Sequence, residues 1–587
     1  VPLQDWIHRF EVGGGARFIK TLAAILGFTA LALIYDMGCY HGFSTQEAME
    51  SAHLARRISE GRGFSTDSIR PLSLYLLHEG APGKGAPSLN GGTADVSTPP
   101  GYPLLLAGLM KVLPFHFEAK DFWFYQPELW IAIFNQVLFL LCALLTLVLS
   151  RRLFDGAVAW MAVAAFTGSE LFWKFSVSGL STLFITLLVL ALAWCLVGLD
   201  ERERLGPAGA GFGRSVAMAV CAGALVGLAG LTRYSFALLI LPALAFLLIF
   251  VRRGQGWLVI AMTASFLVVF GPWIARNYVL TSGLFGTSGY TLFSEIQPSF
   301  PEDRIERSFN PTGSLRRLGP GDVMDKFMFN ARRMFEDDVP RLTGSWISAF
   351  FLVGLLVPFR NPALRRLRWF VIWSLALLFI AQALGRTRLS ADSPQINSDN
   401  LLAPLAPVIC MMGAGFFFIL LDQLVPSHLP EARPAGVAAF AALMFSGYLF
   451  ALFTPSNAPE FSPYMPAHIQ KIAALIKEDE LMMSDIPWAV AWYGNRPCAW
   501  LTLDDSQEFY RLHKLKPVNM IYLTQLTADR RFLSQMAADH NSWGEFFLGC
   551  WLHRQAPDGF PLAFAPSGYL PYQMLLADRP RWQGNVK

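Results

Sequence analysis

Charge is scarce in this sequence. Of its 587 residues only 15% are Asp, Glu, Lys or Arg, where a soluble globular chain carries roughly 25%. The net charge of +4 is small, and no long basic run offers a surface for nucleic acid. Neither a GxGxxG turn nor a P-loop is present, which argues against nucleotide binding. No CxxC or Cys/His spacing suggests zinc. No internal repeat is evident, so an inverted-repeat transporter gains no support. Cysteine is sparse as well, with seven residues. Cys142, Cys195, Cys221 and Cys410 fall inside apolar runs and read as packing residues. Cys39, Cys498 and Cys550 lie outside those runs, and a Cys498–Cys550 disulfide is open to them.

What the chain has instead is apolar length. Hydrophobic residues make up 53% and aromatic residues 14%, and runs of about 20 apolar residues recur, the length that crosses a hydrocarbon core. The sequence predicts a polytopic α-helical membrane protein of about eleven spans, over 18–37, 129–150, 156–174, 178–199, 214–233, 235–251, 255–275, 343–359, 367–385, 401–421 and 433–453. The first is too long, and too poor in small residues at its end, for a removed signal peptide. Residues 103–113, with Pro at both ends, are too short to span and read as re-entrant or interfacial. Lys and Arg gather before the first span and after alternate spans (Arg151–Arg152, Asp200 to Arg214, Arg252–Arg253, Arg360 to Arg368), which marks that side as cytoplasmic. The expected placement is thus a bacterial cytoplasmic membrane with the N-terminus inside. Residues 1–453 form the membrane domain, with external loops over 39–128 and 276–342. Residues 454–587 form an extracytoplasmic domain in which "LMMSDIPWAVAWYGN", "CAWLTLDDSQEFYRLH" and "VNMIYLTQLTADRRFLSQMAADH" each read as strand then helix, the rhythm of a mostly parallel α/β unit. Trp488, Trp492 and Tyr493 there could form its core or stack on sugar faces.

Directly after the first span comes "STQEAMESAHLARRISEGRGF", a charged helix against the membrane. Ser44 and Glu47 have capping-box spacing, and Gly61 and Gly63 suit a left-handed C-terminus. Glu47, Glu50, Leu54, Arg57 and Ile58 share one face, and Ala48, Ala52, Ala55 and Ser59 make a small-residue strip for close packing. A plain surface helix with a cap and ion pairs fits these residues equally well.

The run "AHLARRISEGRGF" followed by "TPPGYPLLLAGLMKVLP", then "LAGLTRYSFALLILP" and "GPWIARNYVLTSGLFGTSG", resembles the landmarks of membrane glycosyltransferases of the GT-C type, relatives of the protein O-mannosyltransferases and the lipid A aminoarabinose transferase. The resemblance covers residues 18–420. It implies a GT-C fold, a polyprenyl-phosphate-linked sugar as donor, a lipid, glycan or protein as acceptor, and transfer at the external face, with membrane lipids but no nucleic acid as partners. It also implies an acidic residue in the first loop that acts as base or organises the acceptor. Glu47 occupies that position, where the family more often has Asp, with Glu50 as the alternate. Such chemistry needs a carboxylate to take the acceptor's proton and cations to steady the departing phosphate. The cations within reach are Arg56, Arg57, Arg70, Lys174, Arg233, Arg276, Arg386 and Arg388. Arg57, Arg233, Arg276, Arg386 and Arg388 are taken as the donor-phosphate set, with Arg233 and Arg276 foremost because each ends a span; snorkelling at the interface is their plainer explanation.

The sequence also departs from the family. Ser181–Thr182 stand where an acidic residue is common, and Asp399–Asn400 stand where Arg-Tyr is common. Glu170 and Lys174, four apart, suit a simple helical pair. No cofactor is fixed by a motif; His41, His53 and His78 share the first loop with carboxylates and leave a divalent cation open, without the spacing of a known site. A lipid or lipid-linked-sugar transporter without transferase chemistry is the alternative, and a non-catalytic envelope scaffold a third class.

Overall fold

The computed structural model describes residues 14–79, 89, 91–120, 124–205, 211–294, 296, 304–311, 315, 318–343, 345–356, 361–385, 396–424, 432–453, 464–503, 506–528, 543, 546, 549–550, 553, 555–564 and 573–581. Among them, eight helices are long and apolar enough to cross a membrane: Thr21–Cys39, Gln126–Leu153, Thr182–Leu205, Phe212–Thr232, Gln255–Thr281, Pro362–Leu384, Ala403–Leu424 and Ala432–Phe453. The other three expected spans are shorter. The 156–174 segment breaks at Ser169 into Gly156–Gly168 and Glu170–Val177, 235–251 becomes Tyr234–Phe250, and 343–359 is helical over Ser345–Gly354. The chain is a multi-pass membrane protein.

Burial sorts the spans. Thr182–Leu205 and Ala403–Leu424 are mostly enclosed by other helices, whereas Gln255–Thr281 and Ala432–Phe453 leave most of their apolar surface outward, including Trp257, Val268 and Phe450. Such exposed side chains are ordinary for helices whose solvent is lipid. The arginine-rich turns meet at one end of the bundle: Arg152 pairs with Glu201, Arg366 with Asp200, and Asn361 Nδ2 donates to the Leu153 carbonyl at 2.8 Å. The long first loop and the C-terminal α/β domain share the other end.

At that second end the first helix after the membrane is α1 (Gln46–Ser59). It stops where glycine lets it: Gly61 takes φ +77°, the Arg62 amide donates to the Arg57 carbonyl and the Gly61 amide to the Ile58 carbonyl, the paired bonds of a Schellman motif. Its start differs from expectation. Thr45, not Ser44, is the N-cap, with no side-chain capping bond, so the Ser44–Glu47 box does not form. The helix begins one residue later, which moves Glu47 to the second helical position and leaves its carboxylate clear of the N-cap amide. The chain then runs through a short strand, β1 (Ser68–Ile69), to helix α2 (Gly101–Val112), the segment expected to be interfacial. Helix α1 packs on α2, and Ala48, Ala52 and Ala55 of the small-residue strip are fully buried. Gly101 opens α2 against the end of the Phe212–Thr232 helix so closely that a Cβ would lie 2.7 Å from Thr232 Oγ1 and 3.0 Å from the Leu231 carbonyl.

The C-terminal domain carries β2 (Leu481–Ser484), β3 (Cys498–Trp500), β4 (Val518–Leu523), β5 (Ala563–Phe564) and β6 (Met574–Ala577). The sheet order is β1-β3-β2-β4-β6-β5, parallel from β1 to β4 and antiparallel beyond. Three of the four parallel strands, β2, β3 and β4, are those read from sequence. The edge strand β1 comes from the first loop, more than 400 residues earlier, with Ser68 opposite Cys498 and Ile69 opposite Ala499. The domain is also pinned to the bundle by Glu128, at the start of a span, whose carboxylate accepts from Tyr493 Oη (2.6 Å), Trp492 Nε1 (3.0 Å) and the Phe43 amide (2.9 Å). Trp488, Trp492 and Tyr493 are buried, as core residues and, for the last two, as this clasp. Cys498 and Cys550 are both buried, and no disulfide joins them.

Candidate functional site

The membrane bundle, the first loop and the loop after residue 286 enclose a cavity of about 400 Å³. Among the described residues, its lining includes Glu47, Glu50, Arg70, Arg233, Glu306 and Asp399, together with the hydroxyls of Thr98, Ser181, Thr182 and Tyr234. It is therefore a chamber at the bundle end that meets the α/β domain, with charged and hydroxyl groups set among apolar side chains.

Most of its charges are spoken for. Arg70 lies between two carboxylates, 2.5 Å from Glu50 and 3.0 Å from Glu306, and all three side chains are no more than 11% exposed. Glu50 also accepts from Gln46 Nε2 at 3.1 Å. Burial pushes the Glu50 carboxyl above its ordinary range, against the pull of Arg70. Arg233 caps the Phe212–Thr232 helix and sits 3.3 Å from Asp399 Oδ1. Glu47 is the exception. It is half-buried in the cavity wall and, among the described residues, is the one lining carboxylate with neither a hydrogen bond nor an ion pair. One helical turn separates it from Glu50, and the two carboxylates differ because Arg70 reaches only the second.

The donor-phosphate set is divided by the fold. Arg233 lines the cavity. Arg276 does not: its guanidinium donates to the Asp95 carbonyl at 3.0 Å and lies over the Trp273 and Phe64 rings. Asp95 in turn accepts from the Ser97 and Thr98 amides, so Arg276 steadies the turn that forms one wall. The neighbours of Arg276 in the same motif act alike, since Trp273 Nε1 (2.8 Å) and Asn277 Nδ2 (3.0 Å) both donate to the Tyr234 hydroxyl, itself a lining group. Arg57 is a correction. Ten residues beyond Glu47, it stands about 15 Å along the helix axis and is buried against Asp67, Ser65 and the Gly91 carbonyl. Arg386 and Arg388 lie outside the described residues.

Around Asp67 the first loop has its own buried knot. His53 Nε2 accepts from the Asp67 amide and lies 3.4 Å from its carboxylate. Burial raises the Asp67 carboxyl, but His53 and Arg57 outweigh it and hold the group down at about 2. His53 is thereby occupied, and no cluster of three or more His, Cys, Asp or Glu able to hold a metal ion is found among the described residues. Glu170 and Lys174 form the simple i,i+4 pair, 2.5 Å apart. Arg70 is among the cations the sequence offers but outside its donor-phosphate set, and no sequence signal singles out Glu306 or Tyr234. Arg70 and Glu306 belong to no periodic element, and 236 residues separate them.

Neither a family model nor a curated protein sequence matches the chain. Solved structures do. The archaeal oligosaccharyltransferase AglB from Archaeoglobus fulgidus, in complex with an inhibitory peptide and a dolichol-phosphate, superposes over 90% of this chain and 72% of its own at a TM-score of 0.55 and 12% identity. ArnT from Cupriavidus metallidurans, bound to undecaprenyl phosphate, superposes over 95% and 98% at a TM-score of 0.52 and 13% identity. The Archaeoglobus fulgidus oligosaccharyltransferase complex with zinc and sulfate gives 88%, 70%, 0.53 and 13%. Both proteins are GT-C glycosyltransferases, and this chain has the GT-C fold.

Proposed function

We propose that the chain is a membrane glycosyltransferase that moves a sugar from a polyprenyl-phosphate-linked donor to an acceptor at the external face of a bacterial cytoplasmic membrane. The observation that carries this reading is the unpartnered Glu47 carboxylate in a cavity whose other charges are paired. A general base must reach the proton it removes and must be free to take it. Glu47 meets both needs; Glu50, bound by Arg70 and Gln46, is suited to holding the wall.

In the proposed step, an acceptor hydroxyl oxygen bonds to the anomeric carbon, its proton passes to Glu47, and the carbon–oxygen bond to the lipid phosphate breaks with its electron pair remaining on the phosphate. Two features favour that anion. Arg233 offers a partly exposed guanidinium, and the Thr182–Leu205 helix begins in the cavity wall, where a helix N-terminus attracts negative charge. Ser181 and Thr182, in place of an acidic residue, spare the phosphate a like charge. Arg70 is held between two carboxylates and is better suited to keeping the wall rigid than to meeting substrate.

The external placement is supported by the arginine-rich turns gathering at the bundle end opposite the cavity, since the positive-inside rule assigns such an end to the cytoplasm. The dolichol-phosphate of AglB and the undecaprenyl phosphate of ArnT support a lipid phosphate as ligand. Native mass spectrometry of the protein purified in mild detergent tests the donor class. A bound polyprenyl phosphate or its glycosylated form is expected; bulk phospholipid alone, even after undecaprenyl phosphate is added, would contradict it.

A further inference from the structure

Two pairs of neighbouring residues connect the α/β domain to the cavity. In the first loop, Ile69 is paired in the sheet with Ala499 of β3, and the next residue, Arg70, enters the cavity wall with its guanidinium 5.9 Å from the Trp500 ring. In the later loop, Glu306 enters the cavity wall, and the next residue, Arg307, points the other way. Arg307 is buried, and it donates through Nε to the Leu501 carbonyl at 2.6 Å and through Nη2 to the Thr502 carbonyl at 2.8 Å. These are the carbonyls immediately after β3. Further on, the Phe309 amide donates to Glu508 Oε1 at 3.3 Å. The two loops also meet directly, through the Leu72 amide and the Glu306 carbonyl at 3.1 Å.

We propose that Arg307 is a positioning residue of the cavity, and that the end of strand β3 is the template on which the Glu50–Arg70–Glu306 triad is assembled. One residue of each pair is fixed to β3 and its neighbour faces the cavity. Arg70 and Glu306, far apart in sequence, thus meet at 3.0 Å because both are registered against the same three or four residues of the α/β domain. A guanidinium that spans two adjacent carbonyls fixes direction as well as distance, which a single hydrogen bond would not. The domain then is a structural part of the site and not a cover over it. This inference rests on the functional reading above only for its effect on ligand binding; the geometry stands without it.

The test uses the full-length protein in two measurements, on wild type, Arg307→Ala, Arg307→Lys, Glu306→Gln and the Arg307→Ala/Glu306→Gln double variant. Hydrogen exchange of the peptide containing Leu72 reports whether Glu306 stays in place. Exchange is expected to rise in Arg307→Ala and to rise less in Arg307→Lys, whose ammonium can donate to one carbonyl but cannot span both. Protection of Leu72 unchanged in Arg307→Ala overturns the proposal, whatever the protein binds. Titration with undecaprenyl phosphate is the second measurement. Arg307→Ala and Glu306→Gln are each expected to weaken binding by about tenfold, and the double variant to be no weaker than either alone, since both act through one element. Losses that multiply in the double variant overturn the proposed route. Failure of the wild type to bind undecaprenyl phosphate defeats the functional reading, while hydrogen exchange still decides the role of Arg307.

Discussion

Glu47 and Glu50 stand one helical turn apart on one face of α1, yet differ in what surrounds them. Arg70 and Gln46 engage Glu50 and leave Glu47 alone. The sequence held both carboxylates on that face, because period alone dictates it. It could not divide their roles, because Arg70 arrives from a loop and Glu306 from a second loop. It also misread the N-cap by one residue, and that residue matters: a Glu47 caught in a capping box would have no free carboxylate. Arg57 shows the opposite failure. It shares the face, but the helix carries it beyond the cavity into the Asp67 knot. Asp67→Asn is expected to destabilise the folded protein by about 3–5 kcal/mol, the cost of leaving a buried Arg57 without its anion, as read from thermal unfolding in detergent. The acid response of the same group has a definite sign. With its folded-state carboxyl held at about 2 and an unfolded value of about 3.9, Asp67 contributes its full stabilisation above pH 4 and loses it as the pH falls from about 4 toward 2. Replacing Asp67 should therefore flatten that acid limb while leaving the pH 5–8 range parallel to wild type.

Elements were legible wherever one physical rule dominated. Long apolar runs became spans, and Gly61 ended α1 as expected, because few other residues tolerate φ +77°. Gly61→Ala should cost about 1–2 kcal/mol in thermal stability without moving ligand affinity, since Gly61 lies at the far end of the helix from Glu47. Gly101→Ala should do both: its new Cβ would meet Thr232 and the Leu231 carbonyl, and the shift required to relieve the clash falls on Tyr102, Pro103 and Arg233 in the cavity wall. A loss of about 1–3 kcal/mol accompanied by weaker undecaprenyl phosphate binding is the expected pair of results; a stability loss with unchanged binding would show that α2 does not set the wall. The sheet was legible only in part. Strands β2, β3 and β4 announce themselves by strand–helix alternation, but β1 is two residues long and carries no local signal; its partner lies in a different region of the chain.

At the scale of the molecule, the bundle and the α/β domain are joined by buried polar contacts that sequence cannot pair. Glu128 accepts three hydrogen bonds, two from the C-terminal domain. Glu128→Ala strands those donors at about 1–3 kcal/mol each and should loosen the junction, seen as faster limited proteolysis between bundle and domain; cleavage at the wild-type rate would show that other contacts suffice. The division of the ends is the larger pattern: arginine-rich turns at one end, the paired cavity and the α/β domain at the other. In that setting the lone carboxylate of Glu47 is the group proposed as the base. The measurement that tests this most directly is the release of free polyprenyl phosphate from polyprenyl-phosphate-linked sugars by protein in proteoliposomes with acceptor lipids and glycans, wild type against Glu47→Gln. The account expects release by wild type and a loss of at least about a hundredfold in the folded variant. Equal release by both would contradict Glu47 as the base.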